Sequence, residues 1–411
     1  MAKGAAPAAC HEEPPTVAAA LLLPRLRAEV PELREEGATL RECLASAGLV
    51  RPETFLARLH RRHFEAERCS HPCLYETSLP VTFGAAVVAC AAARFAGLSA
   101  AHALCAASRP LLHSTRAAAT ELENELPCKL YVCGGQDGHQ PLSSVERFDP
   151  AAGAWEALPP MAERRERATA AVIASRLYVC GGYTGQQQLS SAERFSPSLG
   201  VWEVLPSMAE RREGATAGVI GGCLYVCGGH TGRLLLRSVE RFDPQRGEWE
   251  GMPHMAELRM GAAAAALAGR LYVCGGSSEN AQLLNSAERF NAVSGTWEPL
   301  PPMAERRQGA AAAVIAGRLY VCGGNAGRVK VGSAERFDPS VGKWEALPPM
   351  AERRKGAAGA VIAGCLYVCG GHTGQQPLSS TERFDPAAGL WEGLPPMAQR
   401  RWRAAAAVVV S

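Results

Sequence analysis

"LYVCGG" occupies residues 130–135 and returns at 177–182, 224–229, 271–276, 319–324 and 366–371. The spacing is 47 residues throughout, except for 48 between the fourth and fifth copies. Self-similarity at such a period marks a repeat architecture and is settled before any local reading. Outward from the hexapeptide, one period divides into four short runs separated by turn residues. In the fifth period these are "AAAVIAG", "RLYVCGG", "SAERF" and "KWEAL". The second run is apolar at successive positions, as expected of a strand buried on both faces. The third alternates, and the proline–glycine turn "DPSVGK" joins it to the fourth. Four antiparallel strands per period, six times over, predict an all-β chain with a six-bladed propeller over 128–411.

Side-chain size supports the same architecture. The first run is mostly alanine, as strands converging on an axis require. The fourth holds Trp155, Trp202, Trp249, Trp297, Trp344 and Trp391. Small inside and large outside is the taper of a wedge-shaped blade.

The double glycine, the "SxERFDP" run, the tryptophan that follows it and "LPPMAERR" together resemble the kelch repeat. The likeness covers about two thirds of the chain, 128–411. The array opens on a second strand, "KLYVCGG" (129–135), and ends on "RAAAAVVVS" (403–411), which matches a first strand. Six first and six second strands balance if the C-terminal strand completes the first blade. Such closure removes open sheet edges, and kelch-like propellers with this closure are familiar.

Composition narrows the function classes. The net charge is +3, which argues against nucleic acid and membrane as partners. The most membrane-like stretch, 81–107, carries Arg94 at its middle, at a cost of about 2.5–3.5 kcal/mol there. The N-terminal 24 residues place acids and prolines before a short apolar run, a poor secretory signal. Six of the 15 cysteines are one repeat position, read as a buried small hydrophobe. Cys223 and Cys227, like Cys365 and Cys369, stand four apart on a strand, too far to bridge. These features predict a protein of a reducing, cytoplasmic compartment.

Residues 1–127 lack the repeat and read as mostly helical or poorly ordered. Leu33, Leu40, Leu44, Phe55, Leu56 and Leu59 have helix-like spacing. "AAHALCAASRPLL" (100–112) is similar to one helix of the dimerisation domain that kelch-like adaptors use to dock a cullin scaffold, but the surrounding pattern is missing. His60, His63, Cys69, His71 and Cys73 are zinc-type ligands whose spacing matches no known finger. Surface histidines with incidental cysteines are the preferred reading.

In an antiparallel blade the 2–3 and 4–1 connections share one face, and here they are the longer, more variable ones. Function on a repeating scaffold concentrates on such loops. After each double glycine come Gln136, Tyr183, His230, Ser277, Asn325 and His372. After each inter-blade arginine come Glu166, Glu213, Met260, Gln308, Lys355 and Trp402. These diverging positions are candidate specificity residues. Leu234, Leu235 and Leu236 in the third blade's loop suggest an apolar patch on the same face.

One feature of these loops does not vary: Arg165, Arg212, Arg259, Arg307, Arg354 and Arg401 hold one position of every inter-blade loop. Kelch-like adaptors bind acidic peptides with arginines placed just before the first strand, so the resemblance implies a partner-binding ring here. Glutamates two residues earlier, such as Glu163 and Glu305, are the competing partners. The Glu–Arg pair of "SxERF", identical in all copies, reads as structural.

Catalysis finds little support. A copper radical oxidase of this fold needs two tyrosines and histidines at one mouth, yet six of the eight tyrosines lie in the repeated hexapeptide. No nucleophilic triad or phosphate loop stands out, and no cofactor is expected. The resulting expectation is a protein-interaction module: substrate recognition for a cullin-type ubiquitin ligase or related scaffold, capturing an acidic, extended peptide. The alternative is a stand-alone scaffold binding actin or other cytoskeletal partners, and a propeller enzyme is the second alternative.

Overall fold

A computed structural model describes residues 128–327 and 329–410. The expectations for 1–127, the zinc-type ligands included, lie outside the described residues. Among the described residues, twenty-four strands form six four-stranded sheets arranged as blades. In five blades the strands follow chain order from axis to rim. In the first, Ala405–Val410 is innermost, followed by Cys128–Cys133, Val145–Asp149 and Ala154–Leu158. The C-terminal strand pairs antiparallel with the first strand of the array, from Cys128↔Val410 to Cys133↔Ala405. The ring closes as the strand count predicts.

Each hexapeptide strand is buried on both faces because it is sandwiched between blades. Tyr131 and Cys133 of the first blade pack with Leu177, Val179 and Phe195 of the second, and the pattern recurs around the ring. Fully burying such a side chain contributes about 1.5–3 kcal/mol. The repeated cysteines are part of this core: burial pushes the thiols of Cys133, Cys180, Cys227, Cys274, Cys322 and Cys369 up to about 12. At neutral pH they stay protonated and inert.

At the rim each tryptophan ties its blade to the preceding one. Trp202 Nε1 donates to the Pro159 carbonyl at 2.9 Å, and its ring lies 5.1 Å from Phe195. Trp155 makes the same bond to Pro395 across the closure. At the strand end, Gly182 adopts φ +101°, and a Cβ there would sit 2.8 Å from the Glu166 carbonyl oxygen. Only glycine meets both conditions.

Candidate recognition face

The six repeated arginines are not on the surface. All are 2 % exposed or less, and each is consumed by its own and the next blade. Arg165 Nε donates to Glu193 at 2.9 Å. One terminal nitrogen donates to the carbonyls of Gly181 and Ser191, the other to Glu163 and the Ser191 hydroxyl. All five N–H donors of a guanidinium are thereby satisfied, leaving none for a partner. The expectation of a peptide-binding ring at Arg165, Arg212, Arg259, Arg307, Arg354 and Arg401 is therefore corrected. They are inter-blade latches, and their acceptor is the glutamate of "SxERF". Arg401 latches across the closure, to Glu146 at 2.9 Å and the Gly134 carbonyl at 2.8 Å.

Two residues further along each loop the chain turns onto the axis. Arg167, Gly214, Gly261, Gly309, Gly356 and Arg403 all have positive φ, from 53° to 67°. Each backbone N–H donates to the carbonyl of the preceding member, at 2.6–2.9 Å, and the six bonds close a circle. Four positions are glycine, as this left-handed backbone favours. Arg167 and Arg403 occupy it against a steric cost of about 1–2 kcal/mol each.

Between latch and circle lie the divergent residues, and the structure brings both sets together. Glu166 pairs with Tyr183, Glu213 with His230, Met260 with Ser277, Gln308 with Asn325, Lys355 with His372 and Trp402 with Gln136. Each is an isolated two-strand bridge; for Glu166 and Tyr183 the two backbone bonds are 3.0 and 2.8 Å. The twelve positions thus form a collar of six pairs around one mouth of the axis. The mouth encloses about 190 Å³, with Arg167, Met260, Gln308, Lys355, Trp402 and Arg403 among its lining residues.

The collar is electrically lopsided. On one side stand Glu166 and Glu213, both buried. Arg167 pairs with Glu213, and Arg403 reaches Glu166 at 3.3 Å. Burial holds the Glu166 carboxyl above its ordinary range even so, and Arg403 is brought down to about 10, by burial first and then by Arg167. On the other side Lys355 is held below its usual value by burial and by the cations Lys330, Arg403 and Arg167. The Arg403 guanidinium lies 3.7 Å from the Trp402 ring centroid and the Lys355 ammonium 4.9 Å. His372 approaches the same ring at 4.8 Å. Trp402 is thus the hub of a cationic sector, which the sequence marked only as one divergent position among many.

The remaining expectations divide. Tyr183 caps its own loop, its hydroxyl donating to the Gly185 carbonyl. Gln308 donates to the Ser277 hydroxyl at 2.7 Å, and Asn325 accepts from Lys330 at 2.9 Å. His230 and His372 each accept a backbone N–H at Nδ1, from Gly232 and Gly374. The leucine patch is corrected: Leu234 is exposed, Leu235 is half-buried and Leu236 joins the core. Leu236 occupies the position of Leu142, Leu189, Leu284 and Leu378, which are buried for the same reason. Among the described residues, no group of three or more metal-ligating side chains converges, and no helix is long and apolar enough to cross a membrane.

Comparison with known proteins agrees with the kelch-repeat reading. A family model described as the KLHDC2/KLHL20/DRC7 Kelch-repeats domain matches residues 214–411, and the Kelch motif matches 126–162 and 164–209. No curated protein matches significantly. A solved structure entitled "Structure of YjhT" superposes with a TM-score of 0.57 at 16 % identity, covering 64 % of this chain and 97 % of that one. At that identity the likeness concerns the fold alone.

Proposed function

The chain belongs to the kelch-repeat family, and from that premise we propose that its propeller captures an extended, acidic segment of a partner protein at the collar. The observation that carries this reading is the excess of positive charge around Trp402. Lys330, Lys355, Arg167 and Arg403 act together there, against the two carboxylates of Glu166 and Glu213. Charge-assisted bonds from such groups are roughly twice as strong as neutral ones, and a partly desolvated mouth weakens their screening. The residues offered to a partner are therefore Tyr183, His230, Gln308, Asn325, Lys355, His372 and Trp402, not the latch arginines. Delivery of the captured protein to a cullin-type ubiquitin ligase is the role we assign by resemblance to kelch-like adaptors.

The test uses the full chain and a fluorescent glutamate-rich peptide. Binding should weaken with salt, fall sharply in Lys355→Glu and persist in Arg306→Glu, which alters an exposed arginine beside a latch. Equal binding by all three proteins would move recognition off the collar. Co-purification with a cullin supports the adaptor role, whereas co-sedimentation with actin and no cullin would replace it with cytoskeletal bridging.

A further inference from the structure

The charges of the cationic sector do not balance among themselves. Arg167 and Arg403 answer Glu213 and Glu166. That leaves Lys330 and Lys355 as two cations that form no ion pair among the described residues. Lys330 is held by a neutral amide oxygen, that of Asn325. Lys355 has only the face of Trp402. Both border one loop: Lys330 Cγ would lie 3.5 Å from a Cβ on Gly374, Gly374 donates to His372, and His372 is bridged to Lys355, so the fold gathers the two lysines at one place. His372, beside them, accepts the Gly374 N–H at Nδ1, which leaves Nε2 free to donate. Arg403 is retained in a left-handed backbone where four of its five counterparts are glycine. Strain of this kind persists where the surrounding structure over-determines it and points to a use for the side chain.

We propose that the cluster of Lys330, Lys355 and His372 beside Trp402 is a seat for a dianionic phosphoryl group carried on a serine or threonine of the captured segment. The match is one of charge and chemistry. A phosphoryl ester carries about −1.5 to −2 charges at pH 7 and offers three strong acceptor oxygens. Two ammonium groups and an imidazole N–H supply donors for them. A single carboxylate neutralises one lysine and leaves the other unpaired. Lysine ammonium groups are compact point charges that can meet a multiply charged phosphoryl group from several directions. The proposal rests on the collar as the recognition face, and adds that its anchor is a phosphate ester.

The experiment is calorimetric titration of the full-length protein with O-phosphoserine, inorganic phosphate and aspartate at one ionic strength. O-phosphoserine should bind at least tenfold more tightly than aspartate, and Lys355→Ala and Lys330→Ala should each cost it about tenfold. Lys355→Gln, which keeps the stem over Trp402, should lose binding equally while melting like the parent. Inorganic phosphate binding as tightly as O-phosphoserine would assign the seat to free phosphate and overturn the ester. Equal affinity for aspartate, or phosphoserine binding that survives both lysine changes, would overturn the phosphoryl seat. A glutamate-rich peptide that still binds in those cases would leave the collar reading standing, whereas phosphoserine binding without peptide capture would do the reverse.

Discussion

Arg307 and Gln308 are consecutive in the chain, yet they answer to different constraints. Arg307 is buried and spends its guanidinium on Glu335, Glu305, Ser333 and the Gly323 carbonyl. Gln308 points to the mouth, where its counterparts are Glu166, Glu213, Met260, Lys355 and Trp402. One position is identical in six copies and the next differs in nearly all. Within one chain, identity across repeats measures what neighbouring blades demand of one another. Divergence marks where the fold makes no demand. The arginine ring is structural by the same logic that makes its glutamate partner structural.

The largest effect should come from opening the ring. Removing 403–411 takes away the innermost strand of the first blade and one member of the axial circle. It exposes the edge of Cys128–Cys133, a strand buried on both faces. The shortened chain should aggregate or lose its cooperative unfolding transition in a thermal melt. A melting temperature equal to that of the full chain would show that closure contributes little.

A smaller but still severe effect separates the two arginines that follow Glu305. Arg307→Ala leaves the buried Glu335 carboxylate without its cation and takes a donor from the carbonyls of Gly323 and Ser333. Breaking a buried pair in this way costs about 3–5 kcal/mol. Arg306→Ala, at an exposed position, should stay within about 0.5 kcal/mol. Urea unfolding of the two variants measures the contrast directly. If Arg307→Ala unfolded like the parent, the arginine would return to the recognition face.

The axial circle predicts an intermediate cost. Gly261→Ala places a Cβ at φ +66°, 3.2 Å from the Gln308 side chain. The left-handed conformation costs an L-residue roughly 1–2 kcal/mol, and the same substitution at the Gly247 turn, where no atom crowds the Cβ, isolates strain from contact. Equal losses at the two sites would show that backbone strain alone matters.

How much of this was legible beforehand follows from the reach of each interaction. Blade number, strand order, closure and the tryptophan rim depend on period and residue size, both visible in sequence. The collar was legible as a set of divergent positions, but its pairing needed the bridge between loops of one blade, 17 residues apart for Glu166 and Tyr183. The fate of the arginines was not visible, because their acceptors come from the following blade, 28 residues onward for Arg165 and Glu193. Leu236 was misjudged by reading its run as local, although leucines at four equivalent positions carried the signal.

The smallest predicted effect is a pH dependence confined to the cationic sector. Burial, then Lys355, Arg403 and Lys330, hold the His372 imidazole below its ordinary 6.5. The unfolded chain therefore takes up a proton at this residue before the folded one does. Stability from this group is intact above pH 6.5 and declines as the pH falls from there through the folded-state value. Nδ1 accepts the Gly374 N–H at 2.8 Å, so a proton arriving there also breaks the loop's own bond. His372→Gln should flatten the acid-side decline in melting temperature between pH 7 and 5. His230→Gln, on the opposite blade and away from the lysines, should leave it in place. Saturating O-phosphoserine should also flatten it, because a bound dianion favours the protonated imidazole. An identical decline in both glutamine variants would place its origin in groups other than His372.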